Sequence, residues 1–298
     1  ATIVHEKGGQ TVAKYGYRYD LNGNRTEQKE TNGATTNDAE ALTAYRYDDA
    51  DRLAHVIEPN RTTDYELDAV GNRTKETVTA NGTATSRSIL AYNTRDQLTS
   101  REDAVANVHV TQAYDDNGNL ITQTNNGVTR TYTYDARDRM LSLTDGTNAP
   151  LTFDYDANGM RLEKTQGSQS TKYQYDQSSL LAETNAIGNT LSRYHYSATQ
   201  LIGETKAGTT PVQRHYLLDA LRSPIALLTQ QGTVSARTRY DAWGEVIAQQ
   251  GAGGAVVTPL RDAANAELPE GDEQPVGFTG YIKDSESGLY YAKARYYD

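Results

Sequence analysis

The chain has 298 residues, of which 36% are hydrophobic and 23% are charged, and its formal net charge is -10 at pH 7. So polar a composition excludes the thick aliphatic core of an ordinary globular enzyme of this length, and the negative charge disfavours a nucleic-acid-binding surface. The absence of cysteine excludes a disulfide framework and a cysteine-ligated metal site. No apolar run approaches the ~18 residues of a membrane span, and the first ten residues, ATIVHEKGGQ, lack the features of a signal peptide.

Tyrosine dominates the aromatic residues, with 22 copies against 2 phenylalanines and 1 tryptophan. Tyrosine favours β-strands and tolerates half-burial, because its ring packs while its hydroxyl stays hydrated. The composition therefore predicts extensive, thin β-structure rather than disorder.

A Tyr-x-Tyr-Asp motif recurs from the first strands onward, at a spacing of about 21 residues that indicates a repeat architecture. One unit has room for two strands and two turns. Because strand residues alternate between faces, the two tyrosines of one motif point the same way. The predicted tyrosine stripe contains Tyr17, Tyr19, Tyr45, Tyr47, Tyr132, Tyr134, Tyr173 and Tyr175.

Each motif ends in a turn, because an aspartate at the start of a turn accepts hydrogen bonds from its own downstream backbone. The aspartates to which we assign this structural role are Asp20, Asp48, Asp68, Asp115, Asp135, Asp156, Asp176 and Asp241. Asn-Gly pairs then predict return turns at 32–37, 80–83 and 125–128.

Two turn types alternate along the chain. The third residue after the motif is glycine in one type, as at Gly71, and aspartate in the other, as at Asp138. We expect the Asp-Arg turns to form an ion pair and hydrogen bonds with neighbouring turns, although an exposed pair stabilises by only about 0.2–1 kcal/mol.

The predicted fold is all-β, with hairpins stacked into a long, curled antiparallel sheet that forms an open spiral, a barrel or a shell segment. Residues 1–248 form this sheet. Residues 249–274 are predicted as a loop or insertion, because they are rich in glycine, proline and acidic residues and contain only a short helix-like stretch at 260–268. Trp243 is predicted to plug the core near the end of the sheet.

Several stretches resemble one known family. YRYDLNGNRT (17–26), YTYDARDRM (132–140), RYDAWGEV (239–246) and PVGFTGYIKDSESGLYYAKARYYD (275–298) resemble the YD repeats and the associated core sequence of the Rhs family, which are shared with the C component of Tc toxins and with teneurins. HYLLDALRSPIALL (215–228) resembles the family's pre-core segment, with Arg222 where glycine is expected. The core-motif residues are Gly277, Phe278, Gly280, Gly288, Tyr290, Tyr291, Arg295, Tyr296 and Tyr297.

The resemblance implies a hollow β-shell that encloses a toxic C-terminal domain, in a protein secreted or delivered from a bacterium. The implied partners are that toxin domain and components of a secretion system or a shell plug. In the family, an aspartate-containing segment after the core cleaves the chain. Since that segment is absent from this sequence, we expect no enzymatic activity. Arg295 resembles an arginine of the cleavage apparatus, but a structural pairing with a carboxylate fits it equally.

Other chemistries find less support in the sequence. The DLNGN and DDNGN turns are only loosely like calcium loops, because the twelfth positions are Thr31 and Asn126 rather than glutamate. His195 and His215 could share one face, but strand positions explain them, and we predict neither metal nor cofactor. The rival function is an extracellular glycan-binding or adhesion module that uses exposed tyrosine stripes. An enzyme with its site in 249–274 lacks a nucleophile-base pair.

Overall fold

The computed structural model describes residues 1–32, 41–198, 200–251, 256–257, 276–293 and 295–297. It divides into two compact units, Ala1–Tyr132 and Thr133–Asp298. Apart from one 3-10 turn at Phe278–Gly280, the regular elements in these ranges are β-strands. The prediction of an all-β, antiparallel repeat fold is confirmed.

The first unit is a meander in which each strand pairs antiparallel with the next. Its last strand, β12, runs across the boundary between the units. The strands are β1 (Thr2–Lys7), β2 (Gln10–Tyr19), β3 (Arg25–Asn32), β4 (Ala41–Tyr47), β5 (Leu53–Glu58), β6 (Arg61–Leu67), β7 (Arg73–Ala80), β8 (Thr83–Tyr92), β9 (Leu98–Asp103), β10 (Val108–Tyr114), β11 (Leu120–Asn125) and β12 (Val128–Tyr134).

The second unit continues the same pattern, again with sequential antiparallel pairs, and adds a small three-stranded sheet, β25 to β27. Its strands are β13 (Met140–Thr144), β14 (Leu151–Tyr155), β15 (Arg161–Gln166), β16 (Gln169–Asp176), β17 (Ser179–Asn185), β18 (Thr190–Ser197), β19 (Gln200–Lys206), β20 (Val212–Leu218), β21 (Pro224–Thr229), β22 (Val234–Tyr240), β23 (Val246–Gly251), β24 (Val256–Val257), β25 (Ile282–Lys283), β26 (Tyr290–Tyr291) and β27 (Tyr296–Tyr297).

The turns that follow most of the motifs share one geometry. At Asp20, the Gly23 amide donates to the Asp20 carbonyl and the Asp20 amide donates to the Asn24 carbonyl, so three residues form the loop. Gly23 adopts a left-handed φ of 89° and closes the loop as a bulge, which is a common solution for three-residue hairpins. The opposite turns are shorter, and Asn81 and Gly82 both have positive φ, at 49° and 78°.

The two faces of the meander differ in chemistry. The first tyrosine of each motif lies on a buried face, opposite a polar residue of the next strand, as in the pairs Tyr65–Glu76 and Tyr173–Glu183. The other face carries exposed cross-strand ion pairs, such as Arg18–Glu27 at 3.1 Å. A buried tyrosine-rich face and a charged face therefore alternate along every strand.

The end of the repeats differs from the sequence-based expectation in the position of Trp243 and in the length of the sheet. Trp243 does not plug the core, because it lies in the middle of the Asp241–Glu245 turn and its side chain is 55% exposed. The sheet continues past residue 248, since β23 reaches Gly251 and pairs with β24. The rest of the proposed insertion, the helix-like stretch at 260–268 and most of the 32–37 turn lie outside the described residues.

Candidate functional site: a buried arginine in an aromatic cage

Most of the motif aspartates close their turns by accepting hydrogen bonds from downstream backbone amides. Asp135 Oδ1 accepts hydrogen bonds from the Arg137 and Arg139 amides, and its Oδ2 accepts one from Arg139 Nε at 2.7 Å. The Arg139 amide, then its side chain, lowers the pKa of Asp135 to about 2. The same carboxylate-to-amide bonds occur at Asp20, Asp48, Asp68, Asp115, Asp156, Asp219 and Asp241.

Asp176 departs from this pattern. It is the last residue of β16 and pairs with Ser179, so only two residues form the loop. Gln177, the first of them, takes the left-handed φ of 52°. The aspartate at this repeat is therefore a strand residue rather than the start of a three-residue turn.

Neighbouring turns are joined to one another, as the alternation of turn types suggests. Asp51 accepts hydrogen bonds from Asn22 and Asn24 of the preceding turn, at 2.9 and 2.8 Å. Arg52 donates forward to the Asp68 carbonyl at 2.7 Å. Asp51 has a φ of 58°, so it takes the backbone conformation that glycine takes in the other turn type.

The two tyrosines of each motif have different roles. The first is buried, as at Tyr17, Tyr132 and Tyr173, whose side chains are 4–5% exposed. Tyr45 is also a first tyrosine, but it is only half-buried. The second tyrosine lies nearer the turn: Tyr47, Tyr134 and Tyr175 are half-buried, whereas Tyr19 of the first motif is 48% exposed.

The second tyrosine ties its hairpin to the preceding one. Tyr47 donates to the Arg25 carbonyl at 3.0 Å, and Tyr155 donates to the Met140 carbonyl at 2.7 Å. Tyr92 and Tyr114 make the equivalent bonds. The stripe is thus packed and hydrogen-bonded, which disfavours the open aromatic platforms that glycan binding requires.

Arg161 occupies the most unusual position in the second unit. It is the first residue of β15, five residues after the turn aspartate Asp156, which is the place that Arg25 and Arg73 hold in their own repeats. Those two arginines lie over tyrosine rings, with Arg25 4.9 Å from the Tyr17 centroid. Arg161 differs because its side chain is completely buried.

Aromatic rings surround the Arg161 guanidinium. Its carbon lies 4.5 Å from the Tyr173 ring centroid and 4.4 Å from that of Tyr291, with Phe153 and Tyr296 within 6 Å. A desolvated cation over several aromatic faces gains on the order of 2 kcal/mol or more from such contacts. Two of these rings belong to the repeats and two to the core motif.

Asp284 neutralises this arginine. Arg161 Nη1 donates to Asp284 Oδ2 at 2.5 Å and Nη2 donates to Oδ1 at 3.0 Å, and both side chains are fully buried. Burial alone would lower the pKa of Arg161, but the charge of Asp284 holds that pKa above its ordinary value. A bidentate pair of this kind fixes the relative orientation of the two segments.

Hydroxyl groups complete the contact. Tyr291 accepts a hydrogen bond from the Arg161 amide at 2.8 Å and donates to the Lys293 carbonyl at 2.9 Å. Tyr296 lies 3.2 Å from the Tyr155 hydroxyl, and burial raises the pKa of Tyr155 to about 12. These phenols remain protonated at neutral pH and act as hydrogen-bond donors.

The remaining core-motif residues shape this segment. A side chain at Gly277 would collide with the Tyr290 ring. Gly280 and Gly288 have left-handed φ values of 80° and 77°. Phe278 packs beside the Tyr240 ring at 5.6 Å, and Tyr297 stacks on Tyr281 at 6.0 Å.

Arg295 lies in the exposed part of the core motif, where its carbonyl accepts a hydrogen bond from the Ala292 amide. The arginine buried against the core motif is instead Arg161, which the sequence-based candidates did not include. Its position after a Gly-type turn was the available signal, although Arg25 and Arg73 share it.

The described residues contain no group of three or more His, Asp or Glu side chains that could hold a metal ion. His195 contacts Thr205 across β18 and β19 at 2.8 Å, as a strand residue does. No helix among the described residues is long and apolar enough to cross a membrane.

Comparison with known protein families identifies the repeated motif. A family model described as RHS Repeat matches residues 47–84 and 114–150. The chain contains RHS repeats. The first stretch runs from the end of β4 to the start of β8, and the second from the end of β10 through β13.

Curated relatives include the tRNA nuclease WapA of Bacillus subtilis (strain 168), which is 32% identical over 240 residues. The match covers 79% of this chain and 9% of the relative. The tRNA3(Ser)-specific nuclease WapA of Bacillus spizizenii matches to the same extent. The matched region therefore spans less than a tenth of the length of these relatives.

Among solved structures, the complex TcdB2-TccC3-Cdc42 is similar over 99% of this chain and 20% of that chain, with 14% identity and a TM-score of 0.42. The Photorhabdus luminescens Tc holotoxin pore carrying the TccC3-D651A mutation is similar over 100% of this chain and 19% of that chain, with 15% identity and a TM-score of 0.40.

Proposed function

We propose that this chain forms part of the shell of an Rhs-type toxin, which encloses a C-terminal effector domain and helps to deliver it from a bacterium. The observation that carries the proposal is the continuous backbone pairing of successive hairpins within each unit, reinforced by turn-to-turn and tyrosine-to-carbonyl bonds. A sheet built in this way can extend by adding repeats without needing a central core.

The chemistry of the two faces supports the same role. One face buries tyrosines and the other carries exposed ion pairs, which is the pattern of an antiparallel sheet that meets water on one side only. The conspicuous charged centre of the second unit, Arg161–Asp284, is sealed from solvent and serves attachment rather than catalysis.

The test uses the whole gene product that contains this chain. Its C-terminal domain should resist a non-specific protease that rapidly digests the same domain when expressed alone. The proposal is wrong if the domain is digested at the same rate in both settings.

A second part of the proposal concerns self-cleavage. We expect that this chain does not catalyse its own cleavage and that the exposed Arg295 takes no part in such a reaction. Purified chain should keep a constant intact mass through prolonged incubation, whereas the appearance of defined fragments without added protease would contradict this.

A further inference from the structure

The core segment, which we define as residues 276–297, is attached to the repeats in an unusual way. Its strands β25, β26 and β27 pair with one another, and a bridge joins Val276 to Ile282. Among the described residues, none of these strands shares a β-ladder with the large sheet. The segment is therefore held on the repeats mainly by side-chain contacts.

The apolar part of this attachment is small. Val276 and Ile282 pack against Tyr173 and Tyr194, and Phe278 packs at Gly244. Such contacts are not directional, so they do not by themselves select one docked position.

The charged part is more specific, and a β-bulge creates it. Tyr155 pairs with Arg161 and Asp154 pairs with Glu163, which leaves Leu162 as the extra residue of β15. The bulge places Arg161 and Lys164 on the same face, although three positions along a regular strand would put them on opposite faces.

The two cations meet two carboxylates of a single turn in the core segment. Asp284 binds Arg161 and also lies 3.2 Å from Lys164, which in turn contacts Glu286 at 2.8 Å. Gly288 donates to the Asp284 carbonyl and the Asp284 amide donates to the Leu289 carbonyl, so the turn is closed around the carboxylate. The two cations and the two carboxylates therefore match in charge.

We propose that the face of β14 to β18 around Arg161 is a docking site for the core segment, which can detach while the large sheet stays folded, and that the Arg161–Asp284 pair controls this detachment. Removing one partner leaves the other charged, buried and unpaired, which is far more costly than losing an exposed pair. The proposal holds whether or not the chain encloses a cargo.

The absence of cysteine makes a thiol-labelling test possible in the full chain. Ser287→Cys reports on the core segment and Ser192→Cys on the large sheet, since both serines are buried at 4–5% exposure. Each probe is combined with Asp284→Asn, and with Glu286→Gln as the control in the same turn. The labelling rate in native buffer is measured for each combination.

Asp284→Asn should speed the labelling of Ser287→Cys on the order of 10²-fold and leave that of Ser192→Cys unchanged. Glu286→Gln should change the Ser287→Cys rate by no more than about fivefold. Equal acceleration of both probes would show that the segment and the sheet open together and would overturn the proposal. So would an unchanged Ser287→Cys rate in Asp284→Asn.

Discussion

Arg161 and Asp284, 123 positions apart in sequence, form a fully buried bidentate ion pair between the repeats and the core segment. The guanidinium fills a cage that combines two repeat rings with two core-motif rings. The repeats of the second unit and the core segment are thus parts of one packed structure.

Arg222 takes the left-handed φ of 67° at a place where the other turns have glycine or aspartate. A non-glycine residue in this conformation costs about 1–2 kcal/mol. Glycine avoids that cost, but it gains entropy in the unfolded chain, which offsets part of the benefit. Arg222→Gly should therefore raise the free energy of unfolding of the second unit by about 0.5–1 kcal/mol. Urea unfolding checks this, and a less stable variant would show that the Arg222 side chain makes a compensating contact.

Asp103, the last residue of β9, links its own strand to β8 and to the following turn through its carboxylate. It accepts hydrogen bonds from Ser86, the Arg87 amide and Ser88, and from the Val105 and Ala106 amides in the following turn. Because these donors favour the charged form, Asp103→Asn should destabilise the first unit by about 2–4 kcal/mol at pH 7. Asp49→Asn, at an exposed turn position, is the matched control.

The same carboxylate predicts a pH dependence. Although burial opposes ionisation, the hydrogen bonds lower the pKa of Asp103 below its ordinary value. A lowered pKa in the folded state adds stability that is complete above about pH 4 and is lost as the pH falls further. Between pH 6 and pH 3 the wild type should lose more unfolding free energy than Asp103→Asn. Parallel curves for the two proteins would contradict the assignment.

The tyrosine-to-carbonyl bonds should contribute measurably to stability. Tyr47→Phe removes the donor to the Arg25 carbonyl while keeping the ring, so we expect a loss of about 0.5–1.5 kcal/mol. Tyr19→Phe, whose ring is half exposed in the first motif, should change the unfolding free energy by less than about 0.5 kcal/mol. Equal effects at the two positions would mean that these bonds are not what joins successive hairpins.

Alanine substitutions at Gly244 and Gly188 distinguish the cost of backbone strain from the cost of a steric clash. Both have a left-handed φ, at 97° and 89°, but only Gly244 would bring a new Cβ against the Phe278 ring. Gly188→Ala should cost about 1 kcal/mol, and Gly244→Ala about 1–3 kcal/mol more. Hydrogen exchange in the core segment should rise only in Gly244→Ala. Equal exchange in the two variants would argue against packing of Phe278 at this turn.

Local features of the fold were predictable because they repeat. The motif spacing predicted the hairpins, and the aspartates at the ends of the motifs predicted most of the turns. The Asn-Gly pairs predicted the return turns at 80–83 and 125–128. Trp243 was misplaced because a single tryptophan suggests a core, whereas its position two residues after Asp241 puts it at the tip of a turn.

The buried Arg161–Asp284 ion pair could not be predicted from local sequence patterns. Arg161 looks like Arg25 and Arg73 in sequence, and only the three-dimensional fold brings Asp284 to it. The bulge at Leu162, which places Lys164 beside Arg161, leaves no signal in the spacing of β15. Arg295 was the more prominent arginine because the core motif contains it, yet the burial belongs to Arg161.

We propose that these repeats line a shell around an effector domain. Electron cryo-microscopy of the whole gene product tests this proposal most directly. We predict density for a C-terminal domain on the inner side of the RHS-repeat sheet, enclosed by it. A C-terminal domain found outside the sheet and freely exposed to solvent would contradict the account.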